Sequence, residues 1–123
     1  MIPKYRVWDE YTGRIHDVVG FDFIENEVHY ENYAEAEALI HARDFKDVEL
    51  MQSTGLKDVH GVEIYEGDIV QDCYSREVSF IEFKEGAFYI TFSNVTELLS
   101  ENDDIIEIVG NIFENEMLLE VMR

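Results

Sequence analysis

The side chains that could support metal or nucleophilic chemistry in this sequence are four histidines and a single cysteine. His16, His29, His41 and His60 are far apart, and none of their spacings matches the short gaps of local zinc-binding motifs. Cys73 has no adjacent histidine or helix start that would activate it, so we interpret it as a structural thiol. These residues predict neither a metal site nor a nucleophilic centre.

Two further segments resemble ligand-binding motifs, and both depart from them. Asp103 and Asp104, with Glu101 and Glu107, offer oxygen ligands for calcium, but their spacing is not that of an EF-hand loop. We interpret them as a solvated acidic loop. The segment 53–57 lacks the two-glycine spacing of a phosphate-binding loop. The sequence thus predicts no catalytic, metal-binding or cofactor-binding residues, and we expect no enzymatic activity.

The residues most suited to contact a partner protein fall in two short segments. The candidate interaction surface comprises Arg6, Trp8, Asp9, Tyr65, Glu66 and Asp68. A tryptophan such as Trp8 is most often buried, because it removes a large apolar area from water, but tryptophan and arginine are also enriched at interfaces. The second group falls in a predicted turn, where its members are either exposed for recognition or serve turn formation alone.

The charge of the chain limits the classes of partner. With 28 acidic against 9 basic residues, the net charge is −19, and the acids are spread along the chain. Direct nucleic-acid binding is disfavoured, since phosphate contacts need clustered lysine and arginine, and an anionic membrane surface is disfavoured for the same reason. A basic host protein and a second copy of the chain are the candidate partners.

Length and composition are typical of a single globular domain, 1–123. The 123 residues are 46% hydrophobic, which argues against disorder. No apolar run approaches the roughly 20 residues of a membrane span, and the first residues lack the apolar core of a signal peptide. Because Cys73 has no partner for an intramolecular disulfide, the chain fits a reducing cytoplasm.

The chain is predicted to begin with a β-hairpin. Strands are expected over 4–8, over 14–24 and again from Val28, with a bulge or bend at Gly20. The predicted inward face of the second strand carries Ile15, Val19, Phe21 and Phe23.

A short helix is predicted to complete this N-terminal lobe, residues 1–50. Residues 33–43 are rich in helix formers and follow Asn32, a candidate helix cap. Alanine and glutamate alternate over 34–38, which would also suit an extended segment, so an extended conformation is the alternative to the helix. Strand-like sequence returns over 45–52.

The second part of the chain, 51–123, is organised around residues 54–70, which are predicted to form two turns and the start of a strand. Asp58 and Gly61 suit the first and last positions of a type I turn. Gly67 occupies the third position of a second turn, where a type II geometry requires positive φ.

The strands predicted after these turns cover 69–73, 76–84, 87–92 and 105–112. The apolar pattern changes face between Phe80 and Ile81, which indicates a bulge or a corner. Residues 94–102 are predicted to form a helical turn or loop, and Asn115 is predicted to cap a final short helix. In that helix Leu118, Leu119 and Met122 are predicted to be close enough to pack together.

These elements predict a mainly β (α+β) fold. It consists of a small, partly open SH3-like β barrel, an N-terminal β-hairpin and short-helix lobe, and a short C-terminal helix. The hairpin is rich in apolar residues and has only a short helix to cover it. We therefore also predict a homo-oligomer, in which an identical subunit supplies the second cover.

Three blocks of sequence carry a resemblance to a known family. They are 5–9 (Tyr-Arg-Val-Trp-Asp), 54–70, and 109–115 (Val-Gly-Asn-Ile-Phe-Glu-Asn). Together they resemble the YopX family of phage and prophage proteins over nearly the whole chain, and the 31–47 region is the least alike.

The chain departs from the family pattern at a few positions. Val59 and His60 stand where the family usually has charged or amide residues, and Glu116 stands where a proline often follows the asparagine. The resemblance implies a phage or prophage origin in a bacterial host, and it implies no particular activity.

Two functions are compatible with these expectations. The leading one is a non-catalytic binding or assembly module in the bacterial host cytoplasm, because a complete small β fold is combined with no catalytic set. The alternative is an acidic DNA-mimic inhibitor of a host nucleic-acid-binding or defence protein. Mimicry requires carboxylates at phosphate-like spacing on one face, which a sequence does not reveal.

Overall fold

The computed structural model of the chain describes residues 4–32 and 39–120. It divides into two compact units, unit 1 (Met1–Gln52) and unit 2 (Ser53–Arg123). The boundary lies close to the predicted division after residue 50, and the grouping of both parts into a single domain stays a prediction.

Unit 1 consists of antiparallel strands. They are β1 (Tyr5–Asp9), β2 (Arg14–Asp22), β3 (Glu27–Asn32), β4 (Leu39–Asp44) and β5 (Val48–Lys57), the last of which continues into unit 2. Their order in the sheet is β4-β3-β2-β1-β5. The predicted bulge is confirmed, because the register of β2 on β3 shifts between Val18 and Gly20.

The residues of β2 that face the core differ from the predicted inward face. The core of unit 1 consists of Val7, Val28, Tyr30 and Val48. Before the bulge, His16 is buried and Val18 packs against this core, while Val19 is exposed. After it, Phe21 packs against the core and Phe23 is exposed. An extra residue reverses the alternation of a strand, so the predicted inward position of Val19 is wrong. The predicted inward position of Phe23 is wrong because β2 ends at Asp22 and Phe23 lies in the turn that follows.

Residues 39–43, predicted as the second half of a helix, form strand β4 instead. β4 pairs with β3 from Glu27–Asp44 to Asn32–Leu39. The backbone partners offered by β3 override the helix propensity of this segment. Residues 33–38 of the predicted helix lie outside the described residues.

Unit 2 consists of short antiparallel strands that follow the end of β5. They are β6 (Glu63–Tyr65), β7 (Asp68–Asp72), β8 (Val78–Phe80), β9 (Glu82–Lys84), β10 (Ala87–Phe92), β11 (Val95–Leu98) and β12 (Ile106–Asn111). β6 pairs with β5, and the others form two sheets, β11-β10-β9 and β12-β7-β8. The mainly β class is confirmed, and the sheets of the described residues do not close into a barrel.

The predicted corner between Phe80 and Ile81 is confirmed, because β8 and β9 belong to different sheets. Ile81 is buried at this corner, and its N–H donates to the carbonyl of Asp68 at 2.9 Å. The core of unit 2 consists of Ile64, Val70, Ile81, Ile90, Leu99 and Ile106. The two sheets therefore share one apolar core.

Two elements near the C-terminus differ from the prediction. Residues 95–98 form strand β11 on β10, so the predicted helical turn or loop is wrong there. Within the same predicted range, Leu99–Glu101 form a 3-10 turn, which agrees with the prediction. A short helix, α1, spans Met117–Glu120. The side chain of Asn115, predicted to cap it, accepts the N–H of Asn111 at 3.1 Å. Met122 lies outside the described residues, and none of the helices in the described ranges is long and apolar enough to cross a membrane.

Candidate functional site

An open groove on unit 1 is lined by aromatic and aliphatic side chains. Its residues are Tyr5, Phe21, Phe23, Phe45 and Leu50, and its volume is about 540 Å³. Phe21, Phe45 and Leu50 form its floor, since they pack against the core of the unit. Phe23 is 77% exposed and forms part of the rim. We call this feature the aromatic groove.

The rings of the aromatic groove contact one another. Tyr5 meets Phe21 edge-on with ring centroids 5.3 Å apart, and Phe21 stacks on Phe23 at 5.8 Å. Phe45 lies 6.0 Å from Phe21 and 6.2 Å from Phe23. These separations are typical of favourable aromatic pairs, so the rings hold each other in place.

Two aspartate-stabilised turns position the aromatic residues. Asp22 ends β2, and its Oδ1 accepts the N–H groups two and three residues further on, at 3.0 and 3.1 Å. Asp44 ends β4, and its Oδ1 accepts the N–H of Lys46 at 3.1 Å, which begins the 3-10 turn Phe45–Asp47. Both are local Asx turns, which fix the backbone beside Phe23 and Phe45.

Unit 1 also contains a buried carboxylate, Asp9, at the end of β1. Its Oδ1 accepts the N–H of Tyr11 at 2.9 Å, and its Oδ2 accepts the hydroxyl of Tyr30 and the Nε–H of Arg43, the latter at 2.8 Å. Burial raises the pKa of Asp9, but these hydrogen bonds outweigh it and hold the pKa below its usual value. Asp9 is therefore ionised at neutral pH and paired with Arg43.

The ring of Tyr30 lies between two histidine rings. His16 stacks on it at 4.2 Å and His41 at 5.5 Å. Burial and the bond to Asp9 raise the pKa of Tyr30 to about 12, and burial lowers the pKa of His16. The Nε2 atom of His16 lies 2.7 Å from the Oγ1 of Thr12. The arrangement suits a packed polar core in which Tyr30 and His16 are neutral.

In unit 2 the carboxylate of Asp58 is held by backbone N–H groups. Oδ1 accepts those of His60 and Val62, both at 2.9 Å, and Oδ2 accepts that of Ile108 at 3.0 Å. Burial raises the pKa of Asp58, but these bonds outweigh it and lower the pKa. Gly61 has φ +80°, and its N–H donates to the Asp58 carbonyl at 3.0 Å. The predicted turn is confirmed, and its carboxylate joins it to β12.

The residues predicted as an interaction surface differ in burial. Asp9 and Asp68 are only 0% and 1% exposed, so the prediction that they present surface carboxylates is wrong. The Oδ2 of Asp68 accepts the N–H of Tyr65 at 2.8 Å across the turn at Gly67, whose φ of +86° agrees with the prediction. The half-buried members are Arg6, Trp8, Tyr65 and Glu66. Their contact with a partner stays a prediction.

The other two histidines, His29 and His60, and the cysteine lie in separate surroundings. His60 lies 3.1 Å from Glu107, His29 lies 3.7 Å from Glu27, and Cys73 is a half-buried free thiol. Within the described ranges, no three histidine, cysteine or carboxylate side chains are placed to hold a metal ion.

The aromatic groove was not among the predicted sites. Phe21 and Phe23 were interpreted as core residues of β2, and Phe45 as part of a strand. The signal that could have indicated a surface site is the position of Phe23 and Phe45 near the ends of predicted strands, because the connections at strand ends run over the surface.

Comparisons with known proteins give one family and one fold. A family model described as YopX protein matches residues 4–120. The crystal structure of protein EF1440 from Enterococcus faecalis is similar to this chain, with a TM-score of 0.70 and 29% identity over 97% of this chain and 99% of that chain. No curated protein gives a significant match.

Proposed function

The chain belongs to the YopX family, a membership that specifies no activity, and we propose that it acts as a non-catalytic binding module for a protein partner. The observation that carries the proposal is the aromatic groove. Clustered apolar side chains that remain open to water often mark sites that a partner covers. Phe23, which is largely exposed on the rim, gains the most from such a cover.

The aromatic groove suits one bulky apolar side chain of a partner. Its volume of about 540 Å³ exceeds that of a leucine, methionine or aromatic side chain, so it admits the anchor and part of the neighbouring backbone. Phe21 and Phe45 already pack against the core, so binding requires little further ordering of the floor. Central apolar anchors of this kind carry most of the affinity of many interfaces.

The charge of the chain favours a basic partner. A net charge of −19 raises the rate of encounter with a cationic surface and makes association sensitive to salt. The proposed ligand is therefore a segment of a basic protein that carries an apolar anchor residue with lysine or arginine near it.

Selection of random displayed peptides on the immobilised full-length protein tests the proposal. We expect enrichment of peptides with a leucine, methionine or aromatic anchor flanked by basic residues. The affinity of a selected peptide, measured by fluorescence anisotropy, should fall at least about tenfold in Phe23→Ser, as for a truncated interface anchor.

Ile24→Ser provides the matched control. Ile24 is 90% exposed and adjacent to Phe23, but it does not line the aromatic groove. We expect its peptide affinity to stay within about twofold of the unmodified protein, since peripheral contacts contribute little. Equal losses in the two variants, or no enriched peptides, would contradict the proposal.

The DNA-mimic inhibitor is the second candidate, and the net charge of −19 favours it. The buried carboxylates of Asp9, Asp58 and Asp68 cannot represent phosphates, so a mimic has to use other acids. A pull-down from host lysate separates the candidates. Recovery of basic DNA-binding proteins that duplex DNA displaces supports the mimic, whereas a partner that duplex DNA leaves bound supports the binding module.

The proposal includes a phage or prophage origin, action in the bacterial host cytoplasm and self-association into a homo-oligomer. Direct contact with nucleic acid or a membrane is not part of it. If an apolar contact holds the subunits, association should strengthen as salt screens the charge. Sedimentation at low and high salt measures this, and a monomer in both conditions would contradict self-association.

A further inference from the structure

A cleft on unit 2 combines apolar walls with a carboxylate. It is lined by residues of β8, β10 and the β10–β11 turn and by Leu119 of α1, and its volume is about 540 Å³. The apolar walls come from Val78, Phe80, Phe92 and Leu119. The carboxylate belongs to Glu77, which precedes β8. We call this feature the Glu77 cleft.

The carboxylate of Glu77 is held in a defined position. Its Oε1 accepts the hydroxyl of Ser93 at 2.5 Å. Ser93 and Asn94 have φ of +51° and +65°, which form the tight turn that directs the Ser93 hydroxyl toward Glu77. Among the residues that the structure describes, Oε2 of Glu77 has no hydrogen-bond donor, so one oxygen can accept from a ligand.

The charge around the Glu77 cleft is uncompensated. Among the described residues, no lysine or arginine lines the cleft. Arg76 precedes Glu77 in the chain, but it is exposed and does not belong to the lining. The cleft therefore offers an anionic end, apolar walls and, from the described residues, no competing cation in its lining.

We propose that the Glu77 cleft binds the side chain of a lysine or arginine in a basic protein segment. The aliphatic stem of such a side chain would lie against Val78 and Leu119, and the cation would reach Oε2 of Glu77. The rings of Phe80 and Phe92 line the same cleft, and aromatic rings favour a nearby cation. This inference rests on the proposed binding of a basic protein, but its site lies in the other unit.

The inference can be tested by titrating the full-length protein with Nα-acetyl-lysine amide, whose side-chain ammonium group is free. Two-dimensional NMR follows the binding. We expect the amide signals of 77–80 and 91–94 to shift with a common dissociation constant. N-acetyl-norleucine amide has the same stem without the ammonium group, and it should bind at least about fivefold more weakly, as expected on loss of a charge-assisted hydrogen bond.

Two variants and a control locate the site. Glu77→Gln should remove the preference for lysine over norleucine, and Leu119→Ala should weaken both probes because it shortens one wall. Glu85→Gln removes one exposed carboxylate at the opposite end of β10 and should retain the preference.

The inference would be overturned if the two probes bound equally well. It would also be overturned if the lysine probe shifted signals all over the acidic surface, in Glu77→Gln and in the unmodified protein alike. Phe23→Ser distinguishes it from the proposed function. If that variant loses affinity for the selected peptides but still binds the lysine probe, the two sites act independently. If the lysine probe fails while peptide binding still depends on Phe23, this inference alone is wrong.

Discussion

Asp9 in unit 1 and Asp58 in unit 2 are both buried, and their carboxylates are held in different ways. Asp9 in unit 1 has one backbone donor, from Tyr11, and two side-chain donors, from Tyr30 and Arg43. Among the described residues, the side chain of Asp58 has only backbone donors, and two of them lie within four residues of it. In both cases hydrogen bonding outweighs burial, and the pKa is lowered.

The difference shows how the same residue type serves two structural purposes. Backbone N–H groups are rigid and cannot change from donor to acceptor, so the Asp58 turn depends on an ionised or at least fully accepting side chain. The hydroxyl of Tyr30 can rotate and accept, and Arg43 is partly in contact with solvent, so the Asp9 network is adjustable. Substitutions at the two positions can test this contrast.

Removal of the Asp9 carboxylate is expected to have the largest effect. Asp9→Ala leaves the Tyr30 hydroxyl without its acceptor and the guanidinium of Arg43 without its anion, so the free energy of unfolding should fall by about 3–5 kcal/mol. Urea denaturation measures the change.

The control for this substitution is Asp17→Ala, an exposed position in β2, which should change stability by about 0.5 kcal/mol or less. The double variant Asp9→Ala/Tyr30→Phe should lose less free energy of unfolding than the two single variants lose together. The reason is that it no longer leaves a buried hydroxyl without a partner. Strict additivity would show that Tyr30 and Asp9 are not coupled.

Conversion of each aspartate to asparagine should destabilise the protein by different amounts at the two positions. In Asp58→Asn, Oδ1 still accepts two donors, but the new NH2 group faces the N–H of Ile108, so we expect a loss of about 2 kcal/mol. In Asp9→Asn, the new NH2 group faces both Tyr30 and Arg43. The Tyr30 hydroxyl can turn to accept, and the partly exposed Arg43 can turn toward water, so we expect a loss of about 1 kcal/mol. The two unfolding free energies give the result, and an equal or reversed order would contradict the contrast.

The smallest effect expected is a loss of stability of unit 1 at mildly acidic pH. Burial lowers the pKa of His16 in the folded state. The contribution of neutral His16 to the free energy of unfolding is therefore fully present above the unfolded pKa of about 6.5, and it is lost as the pH falls from there through the folded pKa. Asp58 loses its contribution only under more acidic conditions, as the pH falls through its own lowered pKa.

Amide hydrogen exchange between pH 7 and 5 distinguishes the two units, since it reports on each separately. Protection in β2 and β3 should fall with pH more steeply than protection in β7 and β12. His16→Phe keeps a ring to stack on Tyr30 and removes the titration, so it should flatten the response of unit 1. A steep response that survives in His16→Phe would exclude His16 as its source.

Sequence analysis predicted the Asp58 turn but not the Asp9 network, and the reason is the distance to the donors. The turn depends on the spacing of Asp58 and Gly61, which the sequence shows directly. The side-chain partners of Asp9 lie 21 and 34 residues away. One of them, Arg43, is in the segment where a helix was predicted and a strand is found, so the pairing could not be inferred.

The full set of residues in the aromatic groove could not be predicted for a related reason. Its residues come from β1, β2 and the turn after it, the 3-10 turn after β4, and β5, and they meet only after the sheet has formed. The bulge near Gly20 was predicted, but its effect on the faces of β2 depends on which residue is unpaired. An error of one residue moves a side chain from the core to the surface.

The bonds that join the Asp58 turn to β12 set an order of events during the folding of unit 2. The turn closes over four residues, whereas the bond from Ile108 closes a separation of 50 residues. Short loops close faster and at a lower entropic cost, so the turn can form well before β12 is attached. Asp58→Asn alters the late contact, and we therefore expect it to accelerate unfolding more than it slows refolding, which stopped-flow kinetics would measure.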